Sequence, residues 1–521
     1  MITITGSNYI AGKESRQGTA SYNSVNPIKN EQSPISFLCA TEKEITNAGE
    51  QAFVGFEKME QVLSKDIASF LNNVSKQIAN LGDQLIDSCS WETALPKNRL
   101  MNERNRTCNQ IELIASYIQR GEHVEAVIDT AKHKPDIRRM LIAVGPVLVF
   151  PASNFPFAFG VCGGDTISAI AAGCPVVIKT HPSHPQTAEL FAHAMNKAID
   201  QSNVPKELFS LIHTNKGEDI QQLIMHPAFQ AIGFTGSHYV GRRIFDIACA
   251  RKRPIPVFAE MGSINPIFVT QQAIDERMSQ ISSLLADSIT LGVGQFCTKP
   301  GIICIPKDNG RFVSLLCEKI KMKKNGVLLN SHIAKGYQKS VQMMRETKNV
   351  SILIHNEGLG ENEGDSTLFL TDTDTFVNEP RLQNEHFGPT AIIVTYRKKD
   401  DLFQIFSSLE GQLTGTIHCS NSEMIELKSF LDQMKHKVGR LIINGIPTGV
   451  EVCYAMQHGG PYPATTAPWS TSVGVFSVKR FLRPVAFQDV PDGVLPRYLQ
   501  NKNHDKILRL INGKYTRRDI G

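Results

Sequence analysis

From residue 141 to residue 250 short continuous apolar runs alternate with stretches whose apolar residues recur every three or four positions. Leu141-Ile-Ala-Val-Gly-Pro-Val-Leu-Val-Phe150 predicts a buried strand region, and 163–172 a helix of small residues stopped by Gly173, with Pro175 just beyond. Strands over 176–179, 208–213 and 231–235 and helices over 186–200, 219–225 and 239–250 continue the beat, which predicts a parallel, doubly wound sheet. The run 256–260 reads as leaving that unit. A second alternating block follows over 265–444, with helices near 273–291, 311–323, 332–348 and 399–408 and strands near 301–306, 351–355, 391–396 and 413–418. Ahead of both lie a strand-rich lead-in over the first 25 residues and helices over 42–63, 66–85 and 97–120. Between 127 and 139 the pattern turns polar, as in an extended arm, and from Val473 onward the chain reads as a strand followed by an extended basic segment.

Where the predicted helix 273–291 gives way to a strand, Ser288 to Gly301 contains a cysteine in a glycine-flanked turn. Met278, Ile281, Leu284, Leu285 and Ile289 mark the buried face of the incoming helix, and Gly292 and Gly294 end it. Such a turn presents Cys297 as a nucleophile. Taken alone, a buried structural thiol is the commoner state of a cysteine.

Composition narrows the classes without choosing among them. Hydrophobic residues at 41% and charged residues at 20% are ordinary for a globular protein, and a net charge of +5 over 521 residues argues against a dedicated nucleic-acid binder. The eleven cysteines are scattered singly, with no Cys-x-x-Cys pair and no Cys/His cluster at zinc spacing, so no metal centre is expected. Met1-Ile-Thr-Ile-Thr5 lacks the basic start and apolar core of a signal peptide, and no apolar run reaches the roughly 18 residues of a membrane span. A cytoplasmic, reducing setting is expected.

Three further stretches carry candidate chemistry. Phe150-Pro-Ala-Ser-Asn-Phe-Pro156 follows a strand and holds Asn154 between prolines, where its amide could serve an oxyanion or simply close an Asx turn. Gly233 to Gly241 links strand to helix with Gly236 and Gly241 about the helix start, a place suited to phosphate, although the spacing is not the dinucleotide fingerprint. Glu260, in Phe-Ala-Glu-Met-Gly262, ends a strand in apolar surroundings that predict a raised pKa and a general-base role; a surface glutamate is the plainer alternative.

In this order along the chain, these stretches resemble the aldehyde dehydrogenase superfamily. Asn154 matches the oxyanion asparagine, Val177-Ile-Lys179 the adenosine-ribose lysine, and Phe234-Thr-Gly-Ser237 the pyrophosphate turn. Glu260 matches the general base, Gly294-Gln-Phe-Cys297 the nucleophile, and Asn384 to Pro389 the nicotinamide-ribose motif with Glu385 and Phe387. The resemblance implies an α/β aldehyde dehydrogenase fold with a Rossmann-like cofactor domain (1–126 and 141–258) and an α/β catalytic domain (259–444). It also implies a small β oligomerisation arm with the C-terminal tail (127–140 and 473–521), and a segment over 445–472 returning to the cofactor domain and the substrate-tunnel rim. It implies a homo-oligomer, dimer or tetramer, in which arm and tail pair across subunits. Its chemistry is attack by Cys297, hydride transfer to NAD or NADP, and hydrolysis of a thioester by water activated at Glu260.

Two departures matter. The lysine commonly found four residues after the base is Ile264 here, and the glutamate that NAD-preferring members carry three residues after the lysine is Pro182. Loss of that carboxylate removes repulsion against a 2′-phosphate, so NADP is slightly favoured, with Thr180, His181 and Lys216 as its partners. Ile442 to Cys453, His458 to Ala464 and Arg480 to Asp489 look like the branch of 2,5-dioxovalerate (α-ketoglutaric semialdehyde) and fatty-aldehyde dehydrogenases, although Thr466 to Ser470 departs from its usual polar run. A substrate carboxylate would call for Arg104 or Arg106, and Phe155, Phe159, Cys162, Phe296 and Cys453 would form an apolar wall beside the motif residues. A fatty-aldehyde enzyme and a catalytically silent relative are the alternatives.

Overall fold

The computed structural model describes residues 2–130, 134–355 and 360–520. Residues 131–133 of the predicted arm lie outside the described residues. The first sheet has seven strands in the order Val257–Glu260, Ala231–Thr235, Val147–Phe150, Val176–Lys179, Phe209–Ile212, Asn8–Ile10, Lys13–Ser15. The first five are parallel, and the last two, from the lead-in, add antiparallel at the edge. Its five parallel strands are fully buried and rich in Val and Ile, as expected for a parallel sheet covered on both faces. The strand ending at Glu260 is therefore the outer strand of this sheet, not an exit from it, and the expected boundary between 258 and 259 falls inside it.

The second sheet also has seven strands, ordered Ser351–His355, Thr367–Asp372, Thr390–Tyr396, Ile302–Pro306, Ile267–Val269, Gln412–His418, Val438–Ile443. Only the first pairs antiparallel. Separate hydrophobic clusters pack on its two faces, one around Phe268, Phe406 and Phe430, the other around Ile281, Leu285 and Phe312.

The expected strand region 141–150 holds parts of two strands. Ile137–Ala143 and Val147–Phe150 belong to different sheets, because Gly145 (φ +127°) and Pro146 break the run. The first of them joins a five-stranded sheet with Leu482–Gln488, Val127–Asp129, Arg509–Ile511 and Lys514–Thr516. Arm and tail thus pair with each other within one chain. The expected helix over 66–85 is likewise two, Ser64–Asn80 and Gly82–Thr93, divided at Gly82 in the left-handed region. Among the described residues no helix is long and apolar enough to cross a membrane.

The segment over 445–472 runs between the two large sheets. Met261 N donates to Ala464 O at 2.8 Å, Thr465 bridges Glu260, and Gly411 N donates to Tyr462 O at 3.1 Å. The loop ends of both sheets enclose a cavity of about 670 Å³.

Candidate active site

The helix Gln271–Thr290 ends in three consecutive left-handed residues, Gly292 (φ +56°), Val293 (φ +59°) and Gly294 (φ +65°). Two are glycine as the sequence predicts; Val293 is β-branched, and holding it there costs on the order of 1–3 kcal/mol. At Gly294 a Cβ would lie 2.2 Å from the Gly388 carbonyl oxygen, so this turn and the loop carrying Glu385 pack backbone to backbone. Asn265 Nδ2 donates to the carbonyls of Cys297 (2.8 Å) and Lys299 (3.0 Å), fixing the turn that presents the thiol. Cys297 opens onto the cavity.

Opposite it stand two buried groups. His458 Nε2 lies 3.5 Å from Cys297 Sγ and 3.1 Å from Glu260 Oε1. Ser472 Oγ donates to Glu260 Oε2 at 2.9 Å. The ligand atoms of Glu260, Cys297 and His458 all lie within 4.8 Å of one another. Burial alone would raise the Glu260 carboxyl, but His458 attracts its charge, and hydrogen bonds from His458, Ser472 and Cys297 leave it below the usual glutamate range. The raised pKa expected from the sequence is thus reversed, because the surroundings are polar where the neighbouring sequence is apolar. The Cys297 thiol is pushed well above its ordinary value by burial, by the Glu260 charge and hydrogen bond, and by Glu385. At rest the centre holds a carboxylate beside a thiol. His458 Nε2 donates to Glu260 in one tautomer and accepts from Cys297 in the other, so it can pass a proton between them.

Asn154 sits across the same mouth. Its Nδ2 donates to Gln295 O at 3.0 Å, and Arg99 NH2 donates to Asn154 O at 2.6 Å. Arg99 also stacks on Phe155 and Phe296, 5.0 and 5.1 Å from the ring centroids. Glu103, one turn along the helix Lys97–Gln119, accepts from Phe157 N (2.8 Å) and Ala158 N (3.0 Å) and anchors the loop behind Asn154. Arg106, a further turn on, donates to Val450 O and lies over Phe159, and it feels the charges of Cys297 and Glu260. Arg104 points elsewhere: it donates to Gly82 O at 3.4 Å, away from the cavity. Phe155 packs edge-on against Phe159 and Phe296. Cys453 is exposed and stands outside this wall; the alternation of that segment turns its neighbour Val452 toward Phe159 instead.

The cavity's other reach is built for an anion. Ser237 caps the helix His238–Cys249, accepting from Val240 N, and leaves first-turn N–H groups beside Phe234 and Gly236. Lys179, at a strand end on the cavity wall, is pushed down to about 8 by burial, a cost that a bound anion would offset. Thr180 shares its hydroxyl with Tyr22 (3.2 Å) and His213 (3.0 Å). His181 is held neutral by burial and by His184 and Lys179, so it offers hydrogen bonds without charge. Ser183 and Asn330 meet across the wall at 2.9 Å. Lys216 is exposed at the start of the helix Gly217–Met225 and does not line the cavity; Ile220 of that helix does. Gly241 is not on the wall either: a Cβ there would meet Met261 at 2.8 Å and Phe234 at 2.9 Å, so it seats the helix on the strand. Glu385 and Phe387 line the cavity near Cys297, and the Glu385 carboxylate fits only because residue 262 is glycine, whose Cβ would lie 2.0 Å from Glu385 Oε2. These residues fit a dinucleotide: N–H donors and a lysine at one end, a carboxylate and an aromatic ring at the other.

The model of the aldehyde dehydrogenase family matches residues 13–461. The chain belongs to the aldehyde dehydrogenase family. It is an oxidoreductase of aldehydes, and the family uses NAD(P). The chain is 39% identical to alpha-ketoglutaric semialdehyde dehydrogenase 2 of Azospirillum brasilense, covering 98% of this chain and 99% of the relative. It is 37% identical to the alpha-ketoglutaric semialdehyde dehydrogenase of Acinetobacter baylyi, with the same coverage of 98% and 99%. Among solved structures, aldehyde dehydrogenase 21 of Physcomitrella patens, in complex with the reaction product succinate, superposes with a TM-score of 0.79 at 18% identity, covering 95% of this chain and 100% of that one. Aldehyde dehydrogenase C of Pseudomonas syringae superposes with a TM-score of 0.80 at 17% identity, covering 92% and 96%. These structural likenesses establish the aldehyde dehydrogenase fold.

The sequence reading of this dehydrogenase left out His458, Ser472, Arg99 and Glu103. Arg99, Glu103 and Arg106 recur at helical spacing i, i+4, i+7 and so share one face, a signal that was readable. His458 stands before Gly459 and Gly460 in a stretch quoted for resemblance alone. Its two partners are 161 and 198 residues away in sequence, which no local pattern reports.

Proposed function

We propose that this enzyme oxidises 2,5-dioxopentanoate to 2-oxoglutarate through a thiohemiacetal and a thioester on Cys297. The observation that carries the reading is near-full-length identity to two alpha-ketoglutaric semialdehyde dehydrogenases. An arginine, Arg106, which lies over Phe159 near enough to feel the Cys297 and Glu260 charges, supports it, because a dioxo acid brings a carboxylate. Cys297 loses its proton through His458 or directly to Glu260 and attacks the aldehyde carbon. The oxyanion is stabilised by the Asn154 amide, a donor type worth about 3–4 kcal/mol in the transition state. Bound NAD(P) supplies the hydride acceptor. Glu260, kept ionised by His458 and Ser472, then takes a proton from the water that hydrolyses the thioester.

NADP is the favoured nucleotide in this reading. The carboxylates on the cavity wall are Glu260 and Glu385, both at the Cys297 end, so the Lys179–Ser183 end has a cation and no anion to repel a 2′-phosphate. A reducing, cytoplasmic setting is supported by eleven free cysteines. A homo-oligomer is supported by the outer strand Val438–Ile443, which leaves Leu441 and Ile443 exposed at a sheet edge. The second reading, an aliphatic-aldehyde dehydrogenase, is favoured by the Phe155–Phe159–Phe296 wall. Measuring kcat/KM for the dioxo acid, hexanal and longer aldehydes, with NAD and NADP separately, tests the substrate and the nucleotide. A higher kcat/KM for the long aldehydes would replace the first reading by the second.

A further inference from the structure

Glu260, Cys297 and His458 have a second capacity that aldehyde oxidation does not use. A four-coordinate Zn²⁺ holds a thiolate at about 2.3 Å, an imidazole nitrogen at about 2.0–2.1 Å and a carboxylate oxygen at about 2.0–2.2 Å. Tetrahedral angles on those bonds put sulfur and nitrogen about 3.5 Å apart and nitrogen and oxygen about 3.4 Å apart. Here Sγ and Nε2 are 3.5 Å apart, and Nε2 and Oε1 are 3.1 Å apart. The first edge is already at zinc length, and the second needs a few tenths of an ångström.

The donor set points the same way. Thiolate, imidazole and carboxylate together suit zinc, whereas magnesium and calcium take oxygen ligands. Two of the ligands are held in place from behind: Ser472 fixes the second oxygen of Glu260, and Asn265 fixes the backbone of Cys297. His458 and Glu260 are buried, with side-chain exposures of 2% and 3%, while Cys297 faces the cavity, so a fourth position is left for water.

We propose that this centre is an inhibitory zinc site. Zn²⁺ binds Cys297 Sγ, His458 Nε2 and Glu260 Oε1; the S–H bond breaks, an S–Zn bond forms, and the proton leaves to solvent. No electrons are transferred, so a chelator reverses the binding. The inhibition rests on Cys297 and Glu260 being nucleophile and base, since the metal occupies both at once; the binding itself rests on geometry alone.

The experiment is a Co²⁺ titration of the metal-free full chain. It should show one equivalent bound per chain, with thiolate-to-cobalt charge transfer in the near ultraviolet and the visible bands of four-coordinate cobalt. Zn²⁺ should displace the cobalt and abolish aldehyde oxidation, a chelator should restore it, and Mg²⁺ should do neither. Cys297→Ala and His458→Asn should each lose the bands while keeping their circular dichroism and nucleotide binding. A Cys249→Ser/Cys453→Ser chain, lacking two exposed thiols, should keep both bands and activity. Absence of a saturable one-equivalent band in the wild type, or unchanged bands in Cys297→Ala, would overturn the proposal. Aldehyde oxidation without bands removes the zinc site and leaves the proposed activity; bands in a chain that does not oxidise the dioxo acid do the reverse.

Discussion

Glu260 and Glu385 face the same end of one cavity, yet their carboxyls titrate in opposite directions. Burial raises both. At Glu385 burial prevails, and the carboxyl is lifted to about 7, because the nearby Lys299 charge and the Ser263 N–H compensate only in part and Glu260 repels it. At Glu260 a histidine and a serine hydrogen-bond directly to the two oxygens, and the net shift is downward. The difference separates a group whose partners are built into the chain from one whose partner is still to come. On the proposed roles, the carboxylate that activates water is paired within the protein, and the one that holds a ribose is left short of hydrogen bonds until the ribose supplies them.

The comparison can be broken in several places. The largest effect is expected from Cys297→Ala, which removes the proposed nucleophile: aldehyde oxidation should fall by about 10⁴-fold or more, while nucleotide binding, read by fluorescence titration, stays unchanged. His458→Asn takes away the main attraction holding Glu260 low and leaves burial in charge. The Glu260 pKa should rise, and because the base must be ionised, the acid limb of the kcat profile should move to higher pH. Rates on the alkaline side should fall less than rates on the acid side.

Glu385→Gln is expected to act on the nucleotide more than on the chemistry. Loss of a charged hydrogen-bond acceptor costs about 1.5–3 kcal/mol, a rise in nucleotide KM of about ten- to a hundred-fold. In the wild type that KM should climb as pH falls through about 7, where Glu385 becomes protonated, and the variant should lose this dependence. The smallest effects concern the arginines. Arg106→Ala should raise KM for the dioxo acid and leave hexanal unaffected, whereas Arg104→Ala, which removes only a bond to Gly82, should change either by less than about 0.5 kcal/mol.

Much of this enzyme could be read from its chain, and the parts that could not share a cause. The parallel strands Val176–Lys179 and Ala231–Thr235 were legible because each is a short apolar run bounded by helix signals. Residues 141–150 form an equally apolar run, read only as a strand region, since hydrophobicity does not say which sheet a strand joins. The local stretches made Cys297 and Glu260 candidates only, and the structure brings both together with His458. The state of Glu260 was not legible, because Phe258 and Ala259 describe its strand, while His458 and Ser472, some 200 residues on, describe its environment. The same separation hid the zinc-compatible geometry: three ligands at 260, 297 and 458 have no sequence spacing to recognise. Lys216 and Arg104 were named for their charge, as partners for a 2′-phosphate and a substrate carboxylate, and neither lines the cavity.

The central claim is that Cys297 carries the acyl group and that Glu260, held ionised by His458, releases it. Rapid mixing of Glu260→Gln with the dioxo acid and NADP tests this most directly. A burst of one equivalent of reduced nucleotide per chain should appear, followed by turnover slowed about a hundred- to ten-thousand-fold, with intact-mass analysis finding the acyl adduct on Cys297. Wild-type steady turnover with no burst and no adduct in that variant would contradict the account.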